Sequence, residues 1–256
     1  MVSANLVEIF SSFQGEGPHV GASTLFVRFG ACDLRCRWCD SPHTWKPAVR
    51  CRIEDPKLGE RDIENPVPLA EITAAAAALG VARHRFVSLT GGEPLLQPDA
   101  VRATAAALRT LGPRVLLETH GLAAEALARV VDAIDVVSMD WKLASEVSRA
   151  DAERGAPPEE FHAQHARFLR VAREAAEVYV KVVVAPSTRD DELAELARHV
   201  AAIDPEIPVV IQPVTPRGPV KQSPAPAQLL AWQRQLETTL RDVRVIPQTH
   251  AQLGVR

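Results

Sequence analysis

The 256-residue sequence lacks any apolar run that approaches the length of a membrane span, and its first ten residues lack the basic and then apolar layout of a signal peptide. It also lacks an excess of positive charge, since 29 Lys and Arg stand against 32 Asp and Glu and give a net charge of −3 at pH 7. This balance provides no electrostatic reason for binding a nucleic acid or an anionic membrane. We therefore expect a cytoplasmic protein that binds neither.

Cysteine is scarce, with four residues in the chain. A reducing cytoplasm keeps cysteines as thiols, so disulfides are not expected. Three of the four lie within eight residues, at positions 32, 36 and 39, and Cys51 stands apart in a polar stretch. Clustered cysteines in such a compartment indicate a metal site or catalysis.

Short apolar runs rich in β-branched residues alternate with helical patterns. The predicted strands are Leu6–Phe10, Thr24–Phe29, Phe86–Thr90, Arg114–Glu118, Val136–Met139, Tyr179–Val184, Val209–Gln212 and Val243–Ile246. The predicted helices are Leu69–Leu79, Ala100–Leu111, Ala123–Val131, Glu159–Ala176, Asp191–Ile203 and Ala227–Leu240. Such alternation implies parallel strands joined by right-handed crossovers, and hence an α/β barrel or an open sheet.

Two stretches fit neither pattern. His43–Pro68 is polar and rich in proline, and it is interpreted as a long inserted loop that covers a site or is disordered. Arg149–Pro158 is a shorter irregular segment. Neither has the character of a domain boundary, so residues 1–256 are expected to form a single domain.

The cysteine segment reads Cys32-Asp-Leu-Arg-Cys36-Arg-Trp-Cys39 and follows a predicted strand. A [4Fe–4S] cluster normally takes four thiolates, so three would leave one iron open to a small chelating ligand. The alternative is structural zinc, with Cys51 or His43 as the fourth ligand. The position after a strand favours the cluster, because strand ends are where barrel enzymes carry their chemistry.

A second motif, Gly91-Gly92-Glu93-Pro94, follows the strand Phe86–Thr90. Two glycines at a strand end allow the backbone to approach a ligand closely, and Glu93 could accept a hydrogen bond from an ammonium group. The alternative is an ordinary strand-to-helix turn with a solvated Glu.

Together, the two motifs resemble those of the radical S-adenosylmethionine (SAM) superfamily. The spacing C-x3-C-x2-C has an aromatic residue, Trp38, before the last cysteine, and Gly-Gly-Glu-Pro resembles the superfamily's SAM-binding motif. The resemblance implies that SAM chelates the open iron through its amino and carboxylate groups. One electron would then cleave the sulfonium and give a 5′-deoxyadenosyl radical.

Most of the chain resembles one family of that superfamily, the 7-carboxy-7-deazaguanine synthases of deazapurine and queuosine biosynthesis. The segments that carry the likeness are Glu8–Gly17, Phe26–Cys32, Cys39–Trp45, Leu89–Pro94, Glu118–Gly121, Gln212-Pro213 and Pro247–His250. Gln14-Gly-Glu-Gly17 is the most specific of them, since a tight turn would explain its glycines but neither Gln14 nor Glu16. The resemblance implies ring contraction of 6-carboxy-5,6,7,8-tetrahydropterin to 7-carboxy-7-deazaguanine with release of ammonia.

The family likeness also implies a modified, incomplete (β/α) TIM-like barrel, a homodimer, Mg²⁺, and a reducing partner such as flavodoxin. The substrate-binding residues that it implies are Phe13, Gln14, Gly15, Glu16, Arg28, Thr90, Gln248, His250 and Arg256. The cofactor-binding residues are Trp38, Asp40, Gly92, Glu93, Ser138, Lys142 and Gln212. Ser41 would bind Mg²⁺, at a position where the family has Thr. Arg28 suits a carboxylate because its planar fork donates two hydrogen bonds.

Two other functions stay open at this point. The first is an activase that makes glycyl radicals on a protein partner, which shares the cysteine spacing and the barrel but would not need the Gln14–Gly17 element. The second is a non-catalytic zinc module.

Overall fold

The computed structural model describes residues 2–55, 59–153, 155, 157–175 and 177–255. The strands are β1 (Ser3–Ala4), β2 (Leu6–Phe13), β3 (Ser23–Phe29), β4 (Leu34–Cys36), β5 (Arg50–Asp55), β6 (Gly59–Glu64), β7 (Val67–Pro68), β8 (Phe86–Gly91), β9 (Arg114–Thr119), β10 (Val136–Asp140), β11 (Val147–Arg149), β12 (Glu177–Val184), β13 (Val209–Pro213) and β14 (Val243–Val245). The α-helices are α1 (Leu69–Ala78), α2 (Pro98–Arg109), α3 (Ala124–Ala128), α4 (His162–Ala172), α5 (Asp190–Ala201), α6 (Pro226–Leu236) and α7 (Thr249–Leu253).

One ten-stranded sheet dominates the fold, in the order β14-β13-β12-β10-β9-β8-β3-β2-β5-β6. The seven strands from β14 to β3 are parallel to their neighbours, and β2 is antiparallel to β3. Within the described residues the outermost strands, β14 and β6, do not pair with each other, so the sheet is open. The predicted α/β fold with an incomplete barrel is confirmed.

All predicted strands and helices are present, with shifted ends. Strand β2 extends to Phe13 because Ser11 and Ser12 also pair with β3. The polar side chains of these two serines hid this extension from the sequence pattern. Helix α4 begins at His162, three residues later than predicted, where the side chain of Glu160 accepts a hydrogen bond from the first helical N–H. The predicted end of this helix, Ala176, lies outside the described residues. None of the helices in the described part of the chain is both long and apolar enough to cross a bilayer.

The interpretation of His43–Pro68 as an irregular loop is wrong over most of its length. Strands β5 and β6 form an antiparallel hairpin, and β5 pairs in parallel with β2, so the sheet continues beyond β2. Cys51 and Ile53 point into the core, whereas Arg50 and Arg52 on the same strand are exposed. The alternation is that of a strand with one buried face, and its charged exposed face concealed the period.

The two faces of the parallel sheet differ, and this difference positions the site. On β12, Val180, Val182 and Val184 pack in the main hydrophobic core with the helices. The opposite face begins with an apolar cluster of Phe86, Leu116, Val136 and Tyr179. Towards the carboxyl ends of the strands this inner face becomes polar. The parallel sheet therefore presents its polar side chains where α/β enzymes carry their sites.

Candidate active site

A single cleft at the carboxyl ends of the parallel strands brings the predicted residues together. Every predicted site residue lines it except Glu93 and Arg256. Arg256 lies outside the described residues. Strands β2, β3, β8, β9, β10, β12 and β13 each contribute at least one lining side chain, and the turn after β2, the cysteine segment and the segment at 248–250 supply further lining residues.

The cysteine segment leaves β3 through Ala31, which has a positive φ of 75°. Cys36 ends β4, and the backbone N–H of Cys39 donates to the Cys36 carbonyl at 3.2 Å. All three cysteines are free thiols. Burial raises the pKa of Cys32 to about 12 and also raises the pKa of Cys36, so a bound cation is needed to hold either as thiolate.

In the described part of the chain the three cysteine sulfurs are not arranged as ligands of a single zinc ion. Four thiolates that surround one zinc at about 2.3 Å lie about 3.8 Å apart. Among the described residues, the three sulfurs do not gather within 4.8 Å of one another. Cys51 is fully buried in the hairpin, where its thiol faces the Arg52 carbonyl at 3.7 Å. It does not line the cleft, and His43 does not line it either.

The glycine motif packs against the cysteine segment. A Cβ at Gly92 would lie 2.1 Å from the carbonyl oxygen of Ala31, and one at Gly91 would lie 2.2 Å from that of Phe29. Two backbone hydrogen bonds, from Gly92 to Phe29 and from Glu93 to Ala31, fix this approach. The glycines thus permit two backbones to meet beside the cleft.

The side chain of Glu93 does not point into the cleft, where a cofactor-binding residue is expected. Its side chain is fully buried, and its carboxylate accepts hydrogen bonds from the backbone N–H groups of Leu95 and His120 and from the hydroxyl of Thr119, at 2.8–2.9 Å. These contacts hold the turn after β8 to the end of β9. In this structure Glu93 therefore positions the backbone and does not line the cleft.

Four charged side chains form a connected network on the inner face. Asp140 accepts from Lys142 at 2.6 Å and from Lys181 at 3.0 Å, and Lys181 also contacts Glu16 at 3.0 Å. Burial alone would raise the pKa of Asp140, but the two ammonium groups outweigh it and lower that pKa to about 2. Burial likewise opposes ionisation of Glu16, yet Lys181 and Gln248 hold its pKa below the ordinary value. Both carboxylates are therefore ionised near neutral pH.

Glu118, near the end of β9, accepts hydrogen bonds from several of the polar side chains beside the cleft. Its Oε1 accepts from Ser88 at 2.6 Å and from Gln14 at 2.9 Å, and its Oε2 is 3.3 Å from the Thr90 hydroxyl. Glu118 lines the cleft. A carboxylate held by three donors from two segments, β8 and the turn after β2, is a rigid acceptor for a ligand with several N–H groups.

Arg28 lies on β3 with its Nε donating to Glu8 at 2.8 Å, and its guanidinium lies 5.5 Å from the centre of the Phe10 ring. The side chain is 19% exposed and lines the cleft. The alternative of an ordinary surface arginine is thus not supported. Within the described residues, the hydrogen bond of this guanidinium runs from Nε to Glu8, which leaves the terminal nitrogens available to a carboxylate.

Two buried acceptor oxygens in the cleft are without a hydrogen-bond partner in the described part of the chain. Among the described residues, Gln212 Oε1 and Asp140 Oδ1 are buried without a hydrogen-bond partner, and both residues line the cleft. Unpaired buried acceptors are costly unless a ligand donates to them. Ser138 is buried nearby on β10, and Trp38 packs against Val183 and Val214 at the rim. These groups fit an organic cofactor that carries donor groups.

Ser41 lines the cleft directly after the cysteine segment. It precedes a short 3₁₀ turn, but its side chain makes no capping hydrogen bond to that turn. The hydroxyl is thus not committed to the turn, which was the alternative to a role in Mg²⁺ binding.

The segment at 248–250 closes the outer side of the cleft. The backbone N–H of Thr249 donates to the Gly15 carbonyl at 2.9 Å, and Gln248 donates to Glu16 at 2.6 Å and to Asp40 at 3.2 Å. A Cβ at Gly15 would lie 2.2 Å from Nδ1 of His250. The absence of a side chain at Gly15 is what allows this segment to dock.

Three residues of the site were missed from the sequence: Glu118, Asp140 and Lys181. Glu118 and Asp140 follow apolar runs at strand ends, a position that does signal function in a parallel sheet. Lys181 interrupts the apolar run Val178–Val184, and a charged residue within a buried strand is a usable signal.

Comparisons with known proteins agree with this site. A family model described as the radical SAM superfamily matches residues 26–200. The 7-carboxy-7-deazaguanine synthase of Geobacter sulfurreducens is 36% identical over 98% of this chain and 97% of its own length. The enzyme of that name from Methanothermobacter thermautotrophicus is 33% identical over 100% and 99%. The crystal structure of QueE from Escherichia coli matches with a TM-score of 0.60 at 19% identity, over 96% of this chain and 94% of that one, and supports the fold.

Proposed function

This chain belongs to the radical SAM superfamily and, within it, to the family of 7-carboxy-7-deazaguanine synthases, and we propose that it converts 6-carboxy-5,6,7,8-tetrahydropterin to 7-carboxy-7-deazaguanine with release of ammonia. One observation carries the proposal beyond the likeness. A single cleft contains three free thiols on one wall, and a rigid carboxylate, Glu118, together with a guanidinium, Arg28, among its other lining groups.

The groups on the substrate side match the chemistry of a carboxypterin. A pterin has a guanidine-like edge with several N–H donors, and Glu118 offers two carboxylate oxygens to it. Gln14 and Thr90, which already contact Glu118, add amide and hydroxyl groups beside it. The carboxylate of the substrate requires a cation, and Arg28 is oriented by Glu8 to bind it with two hydrogen bonds.

Cys32, Cys36 and Cys39 would hold the [4Fe–4S] cluster, and SAM would bind beside it. When bound, this pair supplies the radical that abstracts hydrogen from the substrate. Trp38, Ser138 and Gln212 would contact the cofactor, with the unpaired Gln212 oxygen available to one of its donors. The backbone at Gly92 lines the cleft next to the cysteine segment and is available to the cofactor's polar end.

Three finer features belong to the same proposal. Ser41 would bind Mg²⁺ through its uncommitted hydroxyl, since a mostly hydrated Mg²⁺ needs few protein oxygens. An external one-electron donor such as flavodoxin would reduce the cluster. The active form would be a homodimer, which sedimentation of the purified protein tests.

The test is an anaerobic assay with reconstituted enzyme, SAM, the carboxytetrahydropterin and dithionite. We expect 7-carboxy-7-deazaguanine, identified by its mass and absorption, and one ammonia for each product. A pterin without the 6-carboxylate is the matched control and should not be converted. Reductive cleavage of SAM without any deazaguanine would overturn the proposal and favour an activase of a protein partner.

A further inference from the structure

Lys181 links two walls of the cleft that come from distant parts of the chain. It stands opposite Asp140 in the parallel register between β10 and β12, and its ammonium lies 3.0 Å from both Asp140 Oδ2 and Glu16 Oε2. Asp140 belongs to the wall with Ser138 and Gln212, and Glu16 belongs to the Gln14–Gly17 turn. Lys181 is 6% exposed, so bulk water does not weaken these contacts greatly.

We propose that Lys181 is a positioning residue that couples cofactor binding to substrate binding, by holding Asp140 on the cofactor wall and Glu16 on the substrate wall with one ammonium group. The proposal rests on the function proposed above. A ligand that orders Asp140 fixes Lys181, and Lys181 in turn fixes Glu16 and the turn that carries Gln14. Binding of either ligand, cofactor or substrate, therefore orders residues that contact the other ligand and favours its binding.

A purely structural role explains the network less well. Buried ion pairs contribute little net stability, because removing the charges from water costs about as much as their attraction returns. The two carboxylates and two ammonium groups balance in charge, yet none of the described residues gives the buried Asp140 Oδ1 a hydrogen bond. A network built for stability alone would pair that oxygen. The unpaired atom indicates that the network is completed when a ligand binds.

The neighbouring Lys142 supplies a matched control. It contacts the same oxygen of Asp140, at 2.6 Å, but its only ion pair among the described residues is with Asp140. Lys142→Met and Lys181→Met thus remove the same charge from the same carboxylate, and only Lys181→Met breaks the link to Glu16.

The experiment measures binding without turnover. Protein with an oxidised cluster is dialysed against labelled SAM, with and without saturating carboxytetrahydropterin, and the ratio of the two dissociation constants is the coupling. We expect the pterin to tighten SAM binding about tenfold in the unaltered protein, within the usual range for coupled sites. Lys181→Met should bring this ratio close to one. Lys142→Met should weaken SAM binding but keep the ratio.

A second variant guards against misfolding. If Lys181→Met fails to fold because Glu16 is left as an uncompensated buried charge, Glu16→Gln/Lys181→Met removes both charges of that pair and should still show a ratio close to one. A ratio that stays near the unaltered value in either variant would overturn the inference and leave the proposed function intact. If the unaltered protein binds no pterin, the proposed function fails and takes the inference with it. Binding of both ligands without coupling overturns the inference alone.

Discussion

The backbone N–H of Lys142 donates a hydrogen bond to Nε2 of His165, 2.9 Å away, and the other ring nitrogen, Nδ1, lies 2.8 Å from the carbonyl oxygen of Gly121. Since Nε2 accepts, the ring must be neutral with its proton on Nδ1. Burial lowers the pKa of His165 to about 3. The imidazole therefore ties the segment after β9 to the segment after β10 only while it is uncharged.

This contact predicts acid lability. Because the pKa of His165 is lower in the folded protein than its ordinary value of 6.5, the unfolded chain takes up the proton first as pH falls. The stabilisation is complete above about pH 6.5 and is lost towards about pH 3, with a steepest slope of about 1.4 kcal/mol per pH unit. Urea denaturation at a series of pH values measures it. His165→Asn should be less stable at neutral pH and show a flatter profile; an unchanged slope in this variant would contradict the assignment.

Cys36→Ala should abolish cluster assembly. Two remaining thiolates do not hold a four-iron cluster against dissociation, so reconstituted protein should lack both the brown absorption and bound iron. Cys51→Ala is the control, because Cys51 is buried in the β5–β6 hairpin away from the cleft. It should retain the iron content of the unaltered protein. Four irons per chain in Cys36→Ala would show that the cluster has another ligand.

Ser41→Ala should lower turnover and weaken the response to Mg²⁺. The hydroxyl is the one protein oxygen that we assign to the ion, and the methyl group that replaces it cannot coordinate. Turnover is measured against Mg²⁺ concentration in both proteins, with Ser41→Thr as the variant that keeps the oxygen. An identical Mg²⁺ response in the Ala variant would remove Ser41 from the metal site.

Glu118→Gln should raise the KM for the pterin about 10- to 100-fold. The substitution replaces a charged acceptor by a neutral amide that has only one acceptor oxygen. The amide NH₂ group would also face the N–H donors of the substrate. Steady-state kinetics at saturating SAM measure this change. Glu125→Gln on α3 is the control, since the Glu125 side chain is 68% exposed and does not line the cleft. Equal KM values for Glu118→Gln and the unaltered protein would exclude Glu118 from substrate binding.

Apolar periodicity and turn residues predicted the parallel core, because buried strands such as β12 and β13 are apolar over most of their length. The same reasoning failed at the β5–β6 hairpin, where charged residues on the exposed face concealed the alternation marked by Cys51 and Ile53. Motif likeness placed the cleft residues well because they follow strand ends. It did not predict that the carboxylate of Glu93 is buried against Leu95, Thr119 and His120, since sequence does not tell whether a carboxylate after two glycines turns outward or into the core. Lys181 was missed because its partners are 41 and 165 residues away.

The cleft joins the two extremes of the described chain. The hydroxyl of Thr249 meets the carbonyl of Gly15 across 234 residues of sequence. Contacts of such separation close late during folding, since the loop entropy must be overcome before they form. They also open early, because a short terminal helix with no buried residue is held mainly by them. We therefore expect catalytic competence to be lost on heating before the parallel sheet melts.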